Sequence, residues 1–259
     1  MNLIFLTSEA THHYFLINEI NRYYPVKKVY FQTSYEKSRS LKQIFKDMTS
    51  PNTRFLIRGA LSKILFIQEE VLQKQYENKM FFKKQIPSLD SSITSSKVFS
   101  FNSQETLKKI QKDHPDLIIV FGTEILKGEI LEIAKIDILN IHRDILPKYR
   151  GGGLPFWVFY NKDFENLGTT IHVCTKELDG GDIVGQRYYK LQNDDKIYTL
   201  RYKTTVLAID ILKEVIDKYE NKIVEYKKQE KIKLYQSKNM TILKQMIARR
   251  NFNKYVETL

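Results

Sequence analysis

The residues best able to do chemistry lie in two short stretches. The first is Asn140-Ile-His142-Arg-Asp-Ile-Leu-Pro147-Lys-Tyr-Arg150-Gly151, where an amide and an imidazole stand two apart at the end of an apolar run. That spacing on a strand sends both side chains to one face. The second is Gly168-Thr-Thr-Ile-His172-Val-Cys174-Thr-Lys-Glu-Leu-Asp179-Gly-Gly-Asp182-Ile, which brings an acid onto a glycine turn after another strand. An asparagine can donate to a developing oxyanion, a histidine exchanges protons near neutrality, and an aspartate can orient or charge that histidine. Asn140, His142 and Asp179 together suit acyl transfer without a protein nucleophile.

Glycine usage marks the same window. Seven of the ten glycines among 259 residues (151, 152, 153, 168, 180, 181 and 185) fall within 35 residues, as expected where backbone must turn tightly or approach a ligand. Gly185 has no evident task there.

The elements that must position these groups alternate in type. Apolar runs predict strands at 2–7, 26–31, 98–101, 116–121, 136–141, 169–174 and 183–191. The run Asp116-Leu-Ile-Ile-Val-Phe121 has the character of a central strand covered on both faces. Helical spacing predicts helices from Ser8 to about 23, within 35–85 with a break at Pro51, over 103–112 and 126–134, and from Pro155 to 160. Leu200, Thr204, Leu207, Ile211 and Val215 mark one face of a long helix. This alternation implies an α/β domain of three layers with a mostly parallel central sheet.

Composition narrows the function classes. A single cysteine excludes an intrachain disulfide and paired-thiol redox chemistry, and suggests a reducing, cytoplasmic setting. No stretch of about 18 apolar residues predicts a membrane span, and the short run at 3–6 has no basic segment before it. The net charge of +12 is concentrated after residue 226, where nine cations face two anions. That tail reads first as a solvated helix face with Leu243, Met246 and Ile247 as its buried stripe, and second as a contact for phosphate-bearing partners.

Taken together, Asn-x-His, Leu-Pro-x-x-Arg-Gly, Gly-x-Thr-x-His and Leu-Asp-Gly-Gly-Asp-Ile resemble the 10-formyltetrahydrofolate-dependent formyltransferases. The resemblance is strongest over 115–184 and extends from 1 to about 220. It implies a Rossmann-like formyltransferase fold with a catalytic domain at 1–220, a helical insertion at about 35–97, and a short basic C-terminal extension at 221–259. It also implies that Asn140, His142 and Asp179 are catalytic, with the oxyanion held by Asn140 and His142. Asp179 would keep His142 oriented and help remove the amine proton through water. Phe121, Gly122, Glu124, Ile125, Leu126, Gly180, Gly181 and Asp182 would surround the folate, the backbone of 124–126 meeting the pterin. The formyl donor would be 10-formyltetrahydrofolate, and no metal is implied.

Departures direct the choice of acceptor. Many relatives place serine where this chain has Asp144. The loop Ser8-Glu-Ala-Thr11 lacks the glycines with which glycinamide ribonucleotide formyltransferases hold phosphate, and Glu9 opposes an anion. The residues after 220 are too few for the second domain of methionyl-tRNA formyltransferases. The expected acceptor is therefore the amine of a nucleotide-linked amino sugar. Glycinamide ribonucleotide, methionyl-tRNA, or a binding protein that has lost transfer are the alternatives, and the basic tail keeps nucleic acid as a minor partner. An amphipathic terminal segment is also compatible with a homodimer.

Other candidates have plainer readings. His142, His172 and Asp179 form a common metal-ligand set, yet the resemblance points to metal-free chemistry, with His172 a supporting strand residue near the folate. His12 and His13 are adjacent on a helix, so one is expected to be exposed and the other to line the acceptor cleft. Cys174 reads as a small core residue. Phe156, Trp157 and Tyr160 could present rings to a sugar or base, or fill a core.

Overall fold

A computed structural model of the chain describes residues 1–33, 51–152, 155–230 and 233–259. Its strands are β1 (Leu3–Ser8), β2 (Val26–Gln32), β3 (Thr94–Val98), β4 (Leu117–Phe121), β5 (Asp137–His142), β6 (Arg150–Gly151), β7 (Gly168–Val173), β8 (Ile183–Tyr188) and β9 (Leu234–Tyr235). Among the described residues, seven of them form one sheet in the order β3-β2-β1-β4-β5-β7-β8. The first five run parallel, whereas β7 is antiparallel to β5 and β8 antiparallel to β7. Helices α1 (Thr11–Asn21), α2 (Pro51–Phe82), α3 (Gln104–Lys112), α4 (Phe156–Tyr160), α5 (Ile197–Glu220) and α6 (Ile242–Val256) complete the fold.

Alternation along the central strands explains the layers. Leu3, Phe5, Leu117, Ile119 and Phe121 face α1 and α5, while Ile4, Leu6, Ile118 and Val120 face α3. Both faces of β1 and β4 are therefore buried, which is why their sequences read as unbroken apolar runs. The sheet is the three-layer α/β arrangement the sequence implied.

Several boundaries differ from the sequence reading, each for a local reason. The strand expected at 98–101 lies at Thr94–Val98, an edge strand whose mostly polar residues show no apolar run. Helix α1 starts at Thr11 after Ala10, because the Ser8 hydroxyl donates to the Gly122 carbonyl at 2.9 Å and does not cap the helix. The segment expected as helix over 126–134 is a 3-10 turn, Gly128–Glu132, entered through Gly128 at a φ of +70°. Helix α2 begins at Pro51 and carries a kink at Phe66, and Ile64, Leu65 and Ile67 lie on its exposed side. The part of the expected helical region at 35–50 lies outside the described residues.

The C-terminal segment folds back onto the body. Lys227 and Ile183 exchange two backbone hydrogen bonds of 2.9 Å, β9 pairs with β6, and α6 packs on α4. The buried stripe of α6 is Ala248, Phe252 and Val256, which corrects the expectation of Leu243, Met246 and Ile247. Phe252 rests on Phe159 and Tyr255 stacks on Phe164, so these contacts decide which face turns inward. Gly185 also finds its task here. A Cβ on it would come within 2.6 Å of Ile211 and 2.7 Å of Val215, so its absence lets α5 close on β8.

Candidate active site

The register of β5 against β7 sets the first contact. Asn140 pairs with His172 across the antiparallel ladder, and the Asn140 amide nitrogen lies 3.1 Å from His172 Nε2. His172 Nδ1 is 3.0 Å from the Val173 carbonyl, which can only accept, so Nδ1 carries the hydrogen and Nε2 accepts from Asn140. Two residues further along β5, His142 Nε2 is 2.7 Å from the Tyr149 carbonyl and donates to it by the same logic. This leaves Nδ1 of His142 as a lone pair facing Asp179 Oδ2 at 3.7 Å.

Asp179 reaches these groups from the turn after β7, at a φ of +48°. Its Oδ2 accepts the Gly151 N–H at 2.9 Å, and its Oδ1 lies 3.5 Å from both Asn140 Nδ2 and His172 Nε2. The turn is braced from outside. Arg150 Nη2 donates to the Leu178 carbonyl at 2.6 Å and to Glu177, and Gln229 Nε2 donates to the Asp179 and Gly181 carbonyls. Gly151 has a φ of +99°, and a Cβ there would come within 2.0 Å of the Tyr235 carbonyl, so this position requires glycine. Asn140, His142 and Asp179 thus converge, with His172 between the first and third. Sequence reasoning missed Tyr149, Arg150 and Gln229 as supports; only the arginine, within its motif, left any signal.

Electrostatics separate the two titrating groups. Burial lowers the His142 imidazole below its ordinary value; His172 and Arg143 act with it, and Asp179 and the Tyr149 carbonyl oppose it without reversing the outcome. Burial pushes the Asp179 carboxyl up, but His172, His142 and the Gly151 N–H outweigh it and hold the group below the usual carboxylate value. A neutral imidazole beside an ionised carboxylate results. Asp144, completely buried, is pushed well above the carboxylate range by that burial, and among the described residues its carboxyl oxygens have no hydrogen-bond partner. Burial likewise raises the Cys174 thiol to about 12, keeping it neutral.

Two cavities meet at His142. The smaller, of about 290 Å³, is lined by Gly122, Glu124, Ile125, Leu126, Asn140, His142, Cys174 and Asp179 among others. Its loop is pinned by Glu124, whose carboxylate accepts from Ser100 and from the Phe101 N–H, and whose own N–H donates to Gln32. The larger, of about 450 Å³, includes Arg143, Arg201 and Arg249 with Phe121, Phe156 and Tyr198. Gly122, Ile141, His142 and Gly151 line both. Of the residues expected around a folate, Phe121 faces the larger cavity. Gly180, Gly181 and Asp182 line neither and instead shape the turn that carries Asp179.

The larger cavity draws charge from distant segments. Arg201 forms a two-pronged ion pair with buried Glu77, and Arg249 does so with Glu69 while its guanidinium lies 3.5 Å from the Phe66 ring centre. Arg143 has no ion pair among the described residues, and burial, with Arg201 beside it, pulls its guanidinium down to about 10. His12 and His13 are both buried and line neither cavity, which corrects the expectation that one is exposed and the other in the cleft. They are wedged against Phe121, with ring centres 5.5 and 4.4 Å from it, and burial lowers His13 to about 4. The aromatics of α4 divide by face: Phe156 lines the larger cavity, Phe159 fills the core, and Trp157 and Tyr160 line a separate cleft. Among the described residues no cluster has the spacing of a metal site, and no helix is long and apolar enough to cross a membrane.

Comparison with known proteins gives these cavities a context. A family model described as formyl transferase matches residues 67–216. The methionyl-tRNA formyltransferase of Finegoldia magna is 32% identical over 139 residues, covering 53% of this chain and 44% of that protein. That of Sulfurihydrogenibium sp. is 34% identical over 130 residues, covering 50% and 42%. The matched chain spans less than half the length of these curated relatives. Among solved structures, a sugar N-formyltransferase from Shewanella sp aligns over 97% of this chain and 87% of its own, with a TM-score of 0.58 at 15% identity. An N-formyltransferase from Helicobacter canadensis, in complex with folinic acid and dTDP-3-aminofucose, aligns over 98% and 82% with a TM-score of 0.58 at 14% identity. At such identities the likeness is one of fold.

Proposed function

The chain belongs to the formyl transferase family, and from that premise we propose that it transfers a formyl group from 10-formyltetrahydrofolate to the primary amine of a nucleotide-linked amino sugar. The observation that carries this reading is that His142 stands in the wall common to two cavities, 3.7 Å from Asp179. A transfer between two bound molecules needs such a place, where one catalytic group reaches both.

The smaller cavity suits the donor. Val120, Leu126, Leu131 and Cys174 offer apolar walls for a flat heterocycle, and polar loop groups at 123–124 can meet its edge. The larger suits the acceptor, because Arg143 supplies a guanidinium that is in no ion pair among the described residues, and Phe121, Phe156 and Tyr198 supply rings for a base or sugar. The solved neighbour that carries folinic acid and dTDP-3-aminofucose, and a sugar 3N-formyl transferase studied with dTDP and 5-N-formyl-THF, support both halves of the assignment.

When bound, the donor supplies a formyl carbon open to attack by an amine. Asn140 Nδ2 donates one hydrogen to His172 Nε2, and its second, held only by a long 3.5 Å contact to Asp179 Oδ1, is the one that turns to the carbonyl oxygen as that oxygen gains charge. His142 Nδ1 receives the proton shed by the amine, since Nε2–H is committed to Tyr149. Asp179 then faces an imidazolium, and its attraction for that cation lowers the cost of the transfer. The protonated ring can return the proton to the departing nitrogen and restore the starting state.

The pH dependence follows from the lowered His142 value. The active form is neutral, so turnover is present above the imidazole pKa and lost as pH falls through it. A profile of kcat/KM for formyl transfer should stay flat through neutrality and fall on an acid limb below the ordinary histidine value of 6.5. An acid limb centred above that value would contradict the assignment of His142 as base.

A further inference from the structure

We infer that the cleft between α4 and the β9–α6 segment is a second ligand site, built for a nucleoside phosphate. It has a volume of about 450 Å³ and shares no lining residue with either cavity of the candidate active site. Its walls include the rings of Trp157, Tyr160 and Tyr235 and the ammonium groups of Lys233, Lys238 and Lys244, and among the described residues no carboxylate lines it. Among the described residues none of the three lysines is in an ion pair.

Charge and shape select the ligand together. Three ammonium groups without a carboxylate favour an anion, and rings favour a planar group that can stack. The Trp157 and Tyr235 rings are held in place. The Trp157 indole N–H donates to the Gly152 carbonyl at 3.1 Å, and Tyr235 stacks on Tyr149 and accepts from Asn161. A platform already fixed loses little entropy when a ligand covers it. Lys244 Nζ lies 5.0 Å from the Trp157 ring centre and 5.5 Å from that of Tyr160, and Lys233 Nζ lies 5.0 Å from that of Tyr235. These ammonium groups cap the ring faces, so a base that takes a face displaces one of them and leaves it within reach of the phosphate. Neither a bare anion nor a bare heterocycle uses both features.

The basic C-terminal segment gains a task from this. It is the segment that closes the cleft, and its β9 strand pairs with the same Gly151 whose N–H holds Asp179.

The test uses the full chain with neither folate nor amine present, so its outcome does not depend on the proposed transfer. AMP, ribose 5-phosphate, adenosine and inorganic phosphate are compared by equilibrium dialysis, and emission from Trp157, the only tryptophan of the chain, locates the binding. AMP should bind saturably, at least about tenfold more tightly than ribose 5-phosphate or adenosine, and change the emission. K233Q/K244Q should keep the wild-type melting temperature and weaken AMP about tenfold or more, since loss of even one charge-assisted contact of about 1.4 kcal/mol is tenfold. Absence of AMP binding at millimolar concentration overturns the inference. So does equal binding of ribose 5-phosphate, or AMP binding unchanged in K233Q/K244Q.

Discussion

Replacing His142 with alanine should lower kcat for formyl transfer by about 10²–10⁴, the usual contribution of a positioned acid-base group, while leaving folate affinity within a few-fold. The large loss follows from position. His142 is buried, its Nε2–H is committed to Tyr149, and its free Nδ1 faces Asp179 across the wall between the cavities. The small change in affinity follows from the donor cavity, whose apolar walls at Val120, Leu126 and Leu131 remain. His142→Gln separates packing from chemistry, because a glutamine amide can still donate to the Tyr149 carbonyl but cannot take up a proton. Single-turnover rates for both variants should fall together. A loss of less than tenfold in either would remove His142 from the proton path.

Asn140→Ala should cost about 10²–10³ in kcat, the range for loss of one oxyanion donor. The residue also touches His172 and Asp179, so a purely structural effect must be distinguished. The acid limb of the pH profile does this. If Asn140 acts on the carbonyl oxygen, the limb keeps its midpoint in Asn140→Ala while its plateau drops, since the His142–Asp179 contact is untouched. A shifted midpoint with a preserved plateau would mean that Asn140 only steadies its neighbours. Asn140→Asp, similar in shape but with no N–H, should lose plateau activity as the alanine variant does.

The convergence of Asn140, His142 and Asp179 was easier to read from the sequence than the residues that support them. Asn140 and His142 were legible because strand geometry alone puts residues two apart on one face, and Asp179 because glycines surround it. The central strand over Leu117–Phe121 was legible because burial on both faces leaves an unbroken apolar run. What escaped depends on contacts between distant segments. Arg201 meets Glu77 across 124 residues of sequence, and Gln229 reaches back 50 residues to the Asp179 carbonyl. No local pattern encodes either. The polar edge strand β3 has no apolar alternation, and α6 carries apolar residues on two faces, so only the rings of Phe159 and Phe164 decide which one is buried. His12 and His13 looked like surface and cleft residues because adjacent helical positions normally diverge. Both are buried here: the His13 ring packs against Gly122, and His12 lies 4.0 Å from Glu77 of α2.

The most direct test of two cavities meeting at His142 is formyl transfer itself. The purified chain is incubated with 10-formyltetrahydrofolate and, separately, with dTDP- and UDP-linked amino sugars, glycinamide ribonucleotide and methionyl-tRNA, and both tetrahydrofolate release and the formylated amine are measured. The expected result is stoichiometric formation of tetrahydrofolate and a sugar formamide with at least one sugar nucleotide, abolished when the amine is replaced by a hydroxyl. Turnover with methionyl-tRNA or glycinamide ribonucleotide alone, or with no amine in the panel, would contradict it.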